Sequence, residues 1–188
     1  MCCKKRVVLT YKLKKTVVLV GMMGAGKTAV GRSIATRLGA KFVDLDDEII
    51  KAANMKITEI FETYGEIFFR DKESKVLQRL LDREPIVLAA GGGTFISEEN
   101  RRIILSKAHS IWLNSNCAIL WERIKNNKNR PLLNEYDRFE KFKNLYDDRV
   151  RFYAEADISI VNNQNCSIDE IGKRTVDQFL SFINSNLE

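Results

Sequence analysis

The chain has 188 residues, of which 45% are hydrophobic, so it is long enough for one sizeable core and too short for two ordinary domains. The formal net charge of +6 could indicate nucleic-acid binding, but the Lys and Arg residues are spread along the whole sequence. A small polyanionic ligand explains this charge equally well. No apolar run approaches the roughly 18 residues of a membrane helix, and the four cysteines and one histidine lack metal-site or disulfide spacing. We therefore expect a cytoplasmic protein without a membrane role. Because the basic residues are not concentrated in one block, we also expect no nucleic-acid partner.

Short apolar runs alternate with longer stretches of helical periodicity along the chain. This alternation is typical of βαβ units, in which helices join parallel strands. The expected strands are Thr16–Val20, Lys41–Val43, Ile86–Ala90, Ser110–Leu113 and Ile158–Val161. The expected helices are Lys27–Leu38, Asp47–Ala53, Ile57–Leu81, Glu98–Ser106, Cys117–Lys125, Arg138–Ala154 and Ile168–Ile183. The sequence therefore predicts a single α/β domain over residues 16–188, after a basic extension over residues 1–15.

The first predicted strand runs into Gly21-Met22-Met23-Gly24-Ala25-Gly26-Lys27-Thr28, which matches the phosphate-binding pattern GxxxxGK[ST]. In such a loop, backbone N–H groups and the helix N-terminus surround the phosphates. The Lys27 ammonium reaches the β and γ oxygens, and the Thr28 hydroxyl binds Mg²⁺. An ordinary glycine-rich turn is the alternative, but the motif lies between a strand and a helix, as the mechanism requires. The sequence therefore predicts an ATP site.

Acidic residues follow the second predicted strand. Asp44 and Asp46 are two residues apart at its carboxyl end, so we expect them to face the same way. Open α/β sheets bind ligands at this edge. One carboxylate could hold a metal through water while the other accepts a proton or hydrogen bond from an attacking hydroxyl. The alternative is that the acidic residues only cap a helix, which is what we expect of Asp47 and Glu48.

Two further features could bind an acceptor molecule. Arg70 and Glu73 are three residues apart on one face of a predicted helix, and a surface salt bridge is the default interpretation of such a pair. Gly91-Gly92-Gly93 follows the third predicted strand. Three glycines could bring backbone N–H groups close to a ligand, or could form only a flexible turn.

The segment Asn126–Tyr136 is polar, contains one of the two prolines and interrupts the helical periodicity. It predicts a mobile lid over about residues 123–137. Arg123, Arg130 and Arg149 lie in or near this segment. The planar fork of arginine binds phosphate or carboxylate, although each of these residues taken singly is more often a surface residue.

Taken in order, the motifs GMMGAGKT, FVDLDDEI, FRxxE, GGG, RPLL and RxxxY resemble the shikimate kinase family over about residues 16–162. The resemblance implies a P-loop kinase fold with a five-stranded parallel sheet, helices on both faces and a lid. It also implies Mg²⁺-dependent transfer of the ATP γ-phosphoryl group to the 3-hydroxyl of shikimate, in aromatic amino-acid biosynthesis. The expected partners are the small molecules ATP and shikimate, bound by a monomer.

The resemblance assigns a role to each matching residue. Lys27, Asp46 and Arg130 would be catalytic, with Asp46 as the base and Arg130 neutralising charge on the transferring phosphate. Thr28 would bind Mg²⁺ directly and Asp44 through water. The ATP site would consist of Gly24, Ala25, Gly26, Lys27, Thr28, Ala29, Arg123 and Arg130. The acceptor site would consist of Asp46, Arg70, Glu73, Gly91, Gly92, Gly93 and Arg149, beside an apolar wall of Phe61, Phe69, Pro131 and Leu132.

Two other functions stay open at the level of the sequence. A kinase of another small hydroxy acid, such as gluconate, would share the P-loop and the fold. A nucleotide-switched binding module, with nucleic acid as one candidate partner, would share the P-loop and the positive charge, although the sequence shows no concentrated basic face. The whole set of acceptor residues, above all GGG and RPLL, favours shikimate as the acceptor.

Overall fold

The computed structural model describes residues 12–125, 138–162 and 166–185, and a five-stranded sheet lies at its centre. The strands are β1 Thr16–Val20, β2 Phe42–Asp44, β3 Val87–Ala89, β4 Ala108–Asn114 and β5 Ile158–Val161. They lie side by side in the order β2-β3-β1-β4-β5, and neighbouring strands are parallel. The predicted five-stranded parallel sheet is therefore confirmed.

Helices connect and follow the strands. They are α1 Lys27–Leu38, α2 Leu45–Ala53, α3 Ile57–Leu81, α4 Glu98–Lys107, α5 Cys117–Ile124, α6 Arg138–Tyr153 and α7 Ile168–Ser185. Every predicted strand and helix is present, with ends displaced by at most two residues. The long helix α3 is not continuous, however, because Gly65 has a non-helical backbone, with φ of 79°, and divides it into two helical segments. In the described part of the chain, no helix combines the length and apolar character needed to cross a membrane.

The direction of the connections places helices on both faces of the sheet. The connection from β1 to β2 runs toward one edge, whereas those from β2 onward run toward the other. Because crossovers between parallel strands are right-handed, α1 lies on the face opposite to α3 and α4. The last helix, α7, packs against α1.

The burial of the central strand, β1, explains why its sequence is a continuous apolar run. Val17, Val18, Leu19 and Val20 are completely buried, because helices cover both faces of β1 and strands lie on both sides. Full burial of one such side chain stabilises the fold by about 1.5–3 kcal/mol. A continuous apolar run, without alternation, is therefore the expected pattern for this position.

The carboxyl ends of all five strands meet at one edge of the sheet. Here β1 leads to the P-loop, β2 ends at Asp44, and β3 leads to Gly91–Gly93. The connection after β1 runs toward one edge of the sheet and the connection after β3 runs toward the other, and ligands bind open α/β sheets at such a switch point. The fold thus brings the candidate nucleotide loop, the acidic residues and the glycine run together.

Candidate active site

The P-loop has a backbone that requires glycine at three positions. Gly21 has φ of 134°, Gly24 has φ of 82° and Gly26 has φ of 85°, values that a residue with a Cβ atom adopts only at a cost. Gly26 is also the N-cap of α1, whose first turn contains no acidic residue. The positive end of the helix dipole is therefore not neutralised locally, which favours an anion at this loop.

The Lys27 side chain folds back over the loop. Its Nζ donates to the backbone oxygens of Gly21 at 2.8 Å and Met22 at 3.0 Å. A hydrogen bond from an ammonium to a phosphate oxygen is stronger than one to a neutral carbonyl. An incoming polyphosphate can therefore replace these carbonyl contacts without a large displacement of the lysine.

Two side chains from distant parts of the chain hold the P-loop. Asn162, directly after β5, is 1% exposed, and its Nδ2 donates to the Ala25 oxygen at 2.8 Å. Arg123 Nη1 donates to the Gly24 oxygen at 3.2 Å. Sequence reasoning missed Asn162, although its position at the carboxyl end of a predicted strand was a usable signal.

Asp44 lies next to Thr28 at the mouth of the loop. Thr28 Oγ1 donates to Asp44 Oδ2 at 2.8 Å, and the Asp46 N–H donates to Asp44 Oδ1 at 3.1 Å. Asp44 is also the N-cap of α2. A hydroxyl and a carboxylate side by side are oxygen ligands of the kind that Mg²⁺ prefers.

The expectation that strand alternation makes Asp44 and Asp46 face the same way is wrong. Because β2 ends at Asp44 and α2 begins at Leu45, Asp46 lies in a helical first turn, and strand alternation does not set its direction. The side chain nevertheless reaches the glycine run, since a Cβ atom built on Gly91 would lie 3.1 Å from Asp46 Oδ1. The turn made by the Asp44 cap therefore places Asp46 beside Gly91.

The salt bridge between Arg70 and Glu73 is present, but it is not a surface pair, because Glu73 is only 1% exposed. Glu73 Oε2 accepts from Arg70 Nη1 at 2.8 Å, and Oε1 accepts from Thr94 Oγ1 at 2.7 Å. Burial alone would lower the pKa of Arg70, but the charges and hydrogen bonds of Glu73 and Glu66 raise it above its ordinary value. The guanidinium is therefore held in place and stays charged.

Gly91, Gly92 and Gly93 form a turn packed against these side chains. A Cβ atom on Gly93 would lie 2.6 Å from Arg70 Nη1, and one on Gly91 would lie 3.0 Å from Glu73 Oε1. Only a residue without a side chain allows the guanidinium so close to the backbone. The three glycines thus pack closely against the Arg70 and Glu73 side chains. A merely flexible turn would not require such close packing.

Two residues of α6 contact the carbonyl group of Gly92. Tyr153 donates its hydroxyl at 2.5 Å, and Arg149 Nη1, one turn earlier in the helix, donates at 3.3 Å. Tyr153 is completely buried, and burial raises its pKa to about 12. The hydroxyl is therefore a permanent donor at neutral pH. Sequence reasoning noted Tyr153 only as part of a motif.

We expect Tyr153→Phe to flatten the pH dependence of stability in alkali. The unfolded phenol titrates near about 10 and the folded one near about 12, so the folded state holds the proton more tightly. This contribution to the free energy of unfolding is complete below about pH 10 and is lost as pH rises through about 12. Urea unfolding across this window should show a steeper decline for the wild type than for Tyr153→Phe. Equal slopes would contradict a buried hydroxyl.

Only the first residues of the predicted lid are described. Arg123 and Ile124 close α5, and the structure continues at Arg138. Arg130, Pro131 and Leu132 lie outside the described residues, so their roles stay predictions. On the described side of the expected apolar wall, the rings of Phe61 and Phe69 lie 4.6 Å apart.

The strand order and a P-loop beside a second group of acidic and arginine side chains define the class of P-loop kinases, which bind nucleotide and acceptor at one sheet edge. The family model for shikimate kinase matches residues 23–183. This chain belongs to the shikimate kinase family. It is 50% identical to a shikimate kinase from Ruegeria pomeroyi over 164 residues, which cover 87% of this chain and 84% of that protein.

Solved structures agree with this assignment. A shikimate kinase from Acinetobacter baumannii, in complex with shikimate, superposes with a TM-score of 0.85 at 36% identity, covering 89% of this chain and 93% of that one. A gluconokinase from Sinorhizobium meliloti superposes with a TM-score of 0.59 at 16% identity, covering 94% and 97%. The second likeness shows a shared fold alone.

Proposed function

We propose that this chain, an ATP-dependent kinase, phosphorylates the 3-hydroxyl of shikimate in aromatic amino-acid biosynthesis. The observation that carries the proposal is the turn at Gly91–Gly93, which lies against Arg70, Arg149 and Asp46. The P-loop lies directly across the same edge, because a Cβ atom on Gly92 would be 3.5 Å from the Met23 nitrogen. The proposed phosphate and acceptor sites thus share one wall, the turn Gly91–Gly93.

The two arginines suit an acceptor that bears a carboxylate. Arg70 closely approaches Gly93, and Arg149 contacts the Gly92 oxygen, so their guanidinium groups border neighbouring residues of one turn. A carboxylate can take paired N–H donors from such groups. With the carboxylate held there, a ring hydroxyl of the acceptor would face Asp46 and the P-loop.

Asp46 and Lys27 would act on the reacting groups. Asp46 would orient the accepting hydroxyl and accept its proton. Lys27 would exchange its bonds to the Gly21 and Met22 oxygens for phosphate oxygens and offset the charge that develops during transfer. Positioning and charge compensation of this kind account for most catalysis of phosphoryl transfer.

Thr28 and Asp44 would hold Mg²⁺, because their oxygens lie 2.8 Å apart beside the P-loop. The bound ion would supply positive charge to the β and γ oxygens of ATP. Mg²⁺ commonly takes one or two protein oxygens and completes its shell with water and phosphate, so a single hydroxyl and carboxylate fit this ion.

The acceptor is tested by coupled ADP release with Mg·ATP and a panel of shikimate, gluconate, nucleoside monophosphates and a shikimate analogue without the 3-hydroxyl. We expect robust release with shikimate and far less with the other compounds. Robust release with another acceptor and none with shikimate would overturn the proposal. Release with the 3-deoxy analogue equal to that with shikimate would exclude the 3-hydroxyl as the acceptor.

Arg70→Ala and Arg149→Ala are expected to weaken acceptor binding far more than ATP binding. Each loses a charge-assisted contact worth on the order of 2 kcal/mol, which is about 30-fold in affinity. Separate titrations with shikimate and ATP measure the two effects. Arg102→Ala is the matched control, because Arg102 pairs with Glu98 on the exposed face of α4. Equal losses for both ligands would mean that the arginines act through fold stability.

No specific observation favours a gluconate kinase or a nucleotide-switched binding module. Gluconate as acceptor rests only on a shared fold, and a nucleotide-switched binding module does not suit a member of a kinase family. We also propose a cytoplasmic monomer with one catalytic domain over residues 16–188. Gel filtration with light scattering tests the oligomeric state.

A further inference from the structure

We propose that Thr94 is a positioning residue for the acceptor, which holds the Glu73 carboxylate so that Glu73 presents Arg70 to the acceptor carboxylate. This inference rests on the proposed function, in which Arg70 binds that group. Thr94 follows the glycine run directly and has no role in the assignments above.

The contacts form a buried chain from Thr94 to Arg70. Thr94 is completely buried, and its Oγ1 donates to Glu73 Oε1 at 2.7 Å. The other oxygen of Glu73 accepts from Arg70 Nη1 at 2.8 Å. The carboxylate therefore bridges an uncharged donor on the glycine turn and a guanidinium that faces the acceptor site.

The turn itself sets the position of Thr94. Its N–H donates to the Gly91 oxygen at 3.2 Å, so the residue closes the turn that also lies against Asp46. A Cβ atom on Gly91 would be 3.0 Å from Thr94 Oγ1. The Thr94 hydroxyl therefore lies against the backbone of Gly91, and the absence of a side chain at Gly91 leaves room for its hydrogen bond to Glu73.

Loss of the hydroxyl would release the carboxylate. A buried charged oxygen without its donor is strongly disfavoured, so Glu73 would turn to share both oxygens with Arg70. Arg70 already has a second partner, since its Nη2 donates to the exposed Glu66 at 3.1 Å. With Glu73 displaced, the guanidinium would leave the place next to Gly93 from which it reaches the acceptor.

The effect should spare the nucleotide. The contacts that hold the P-loop come from Asn162 and Arg123, on other elements of the fold. A change at Thr94 should therefore affect binding of the acceptor and not binding of ATP, whereas a general loss of stability would affect both.

The test compares Thr94→Val, which keeps the shape and removes the donor, with Thr94→Ser, which keeps the donor. KM for shikimate is measured at saturating Mg·ATP, and KM for ATP at saturating shikimate. We expect Thr94→Val to raise KM for shikimate about tenfold and to change KM for ATP by less than about twofold. Thr94→Ser should restore KM for shikimate to within about threefold of the wild type.

Thr175→Val is the matched control. Thr175 is also completely buried, and its Oγ1 donates to the Ile171 oxygen at 2.7 Å within α7, on the helix that packs against α1. This variant loses a buried hydroxyl of the same kind and should leave both KM values unchanged. If Thr94→Val does not fold, Thr94→Cys, with a weaker donor of similar size, provides the same comparison.

A double-mutant cycle tests whether Thr94 acts on the acceptor through Glu73. If Thr94 acts through Glu73, then Thr94→Val should add little to KM for shikimate in a Glu73→Ala background, which has no acceptor for the Thr94 hydroxyl, so the two effects will not be additive. Additive effects, parallel rises in both KM values, or equal values for Thr94→Val and Thr94→Ser would each overturn the inference. Absence of shikimate turnover by the wild type would instead overturn the proposed function.

Discussion

Asp46→Asn is expected to bind ATP normally and shikimate with at most a modest loss, while phosphoryl transfer slows by about 10²- to 10⁴-fold, the usual size of a general-base contribution. The physical reason is that asparagine keeps the shape and can still hydrogen-bond, but cannot accept a proton. In the structure, Asp46 Oδ1 lies beside Gly91, at the wall shared by the two proposed sites. The variant therefore removes the proton acceptor and leaves the pocket intact.

The measurement for Asp46→Asn is single-turnover transfer with both substrates saturating, alongside direct binding of each ligand. Asp47→Asn is the control, because Asp47 is the exposed neighbour in the same helical turn. It should transfer phosphate at the wild-type rate. A loss of only a few-fold in Asp46→Asn would favour positioning over proton transfer, since the transition state can be largely dissociative. A near-wild-type rate would show that Asp46 does not act on the hydroxyl.

Lys27→Met should leave a folded protein whose turnover falls by about 10²- to 10³-fold, as expected for loss of one donor to developing charge. Methionine fills a similar volume but leaves the charge on the β and γ oxygens uncompensated. The fold should tolerate the change, because the lost bonds join Lys27 to two carbonyl groups of the partly buried loop.

Steady-state turnover and the thermal midpoint together test Lys27→Met. Lys51→Met is the matched control, since Lys51 pairs with Glu48 on the surface of α2. It should lose neither turnover nor more than a small part of the stability. Wild-type turnover in a correctly folded Lys27→Met protein would rule out the assigned role of the lysine.

The fold was predictable because its signals are local. Strand β1 is buried on both faces and therefore appears as an unbroken apolar run, while glycines with positive φ mark the turn into α1. The P-loop could be predicted in the same way, since its pattern and its position between strand and helix are both visible in one short segment.

The geometry of the proposed acceptor site was predictable only in part, because it depends on packing between distant segments. Arg70 and Glu73 match a common surface pair, and nothing within α3 indicates that Thr94 covers the carboxylate. Asp46 lies beside Gly91, but strand alternation does not place it there, because β2 ends at Asp44, the N-cap of the helix that contains Asp46.

Other contacts could not be predicted from the sequence because they also join distant segments. Asn162 and Ala25, and Tyr153 and Gly92, are joined by hydrogen bonds across large sequence separations. A single sequence carries no periodicity that links such pairs. Their roles become visible only when the carboxyl ends of the strands are brought to one edge.

The most direct test of the central claim is to identify the phosphorylated product. Shikimate, Mg²⁺ and ATP labelled in the γ-phosphoryl group are incubated with the wild-type chain, and the product is assigned by ³¹P and ¹H NMR. We expect one labelled phosphate ester on the 3-hydroxyl for each ADP formed, and none with Lys27→Met. Label released as inorganic phosphate, or carried on another hydroxyl, would contradict the proposed reaction.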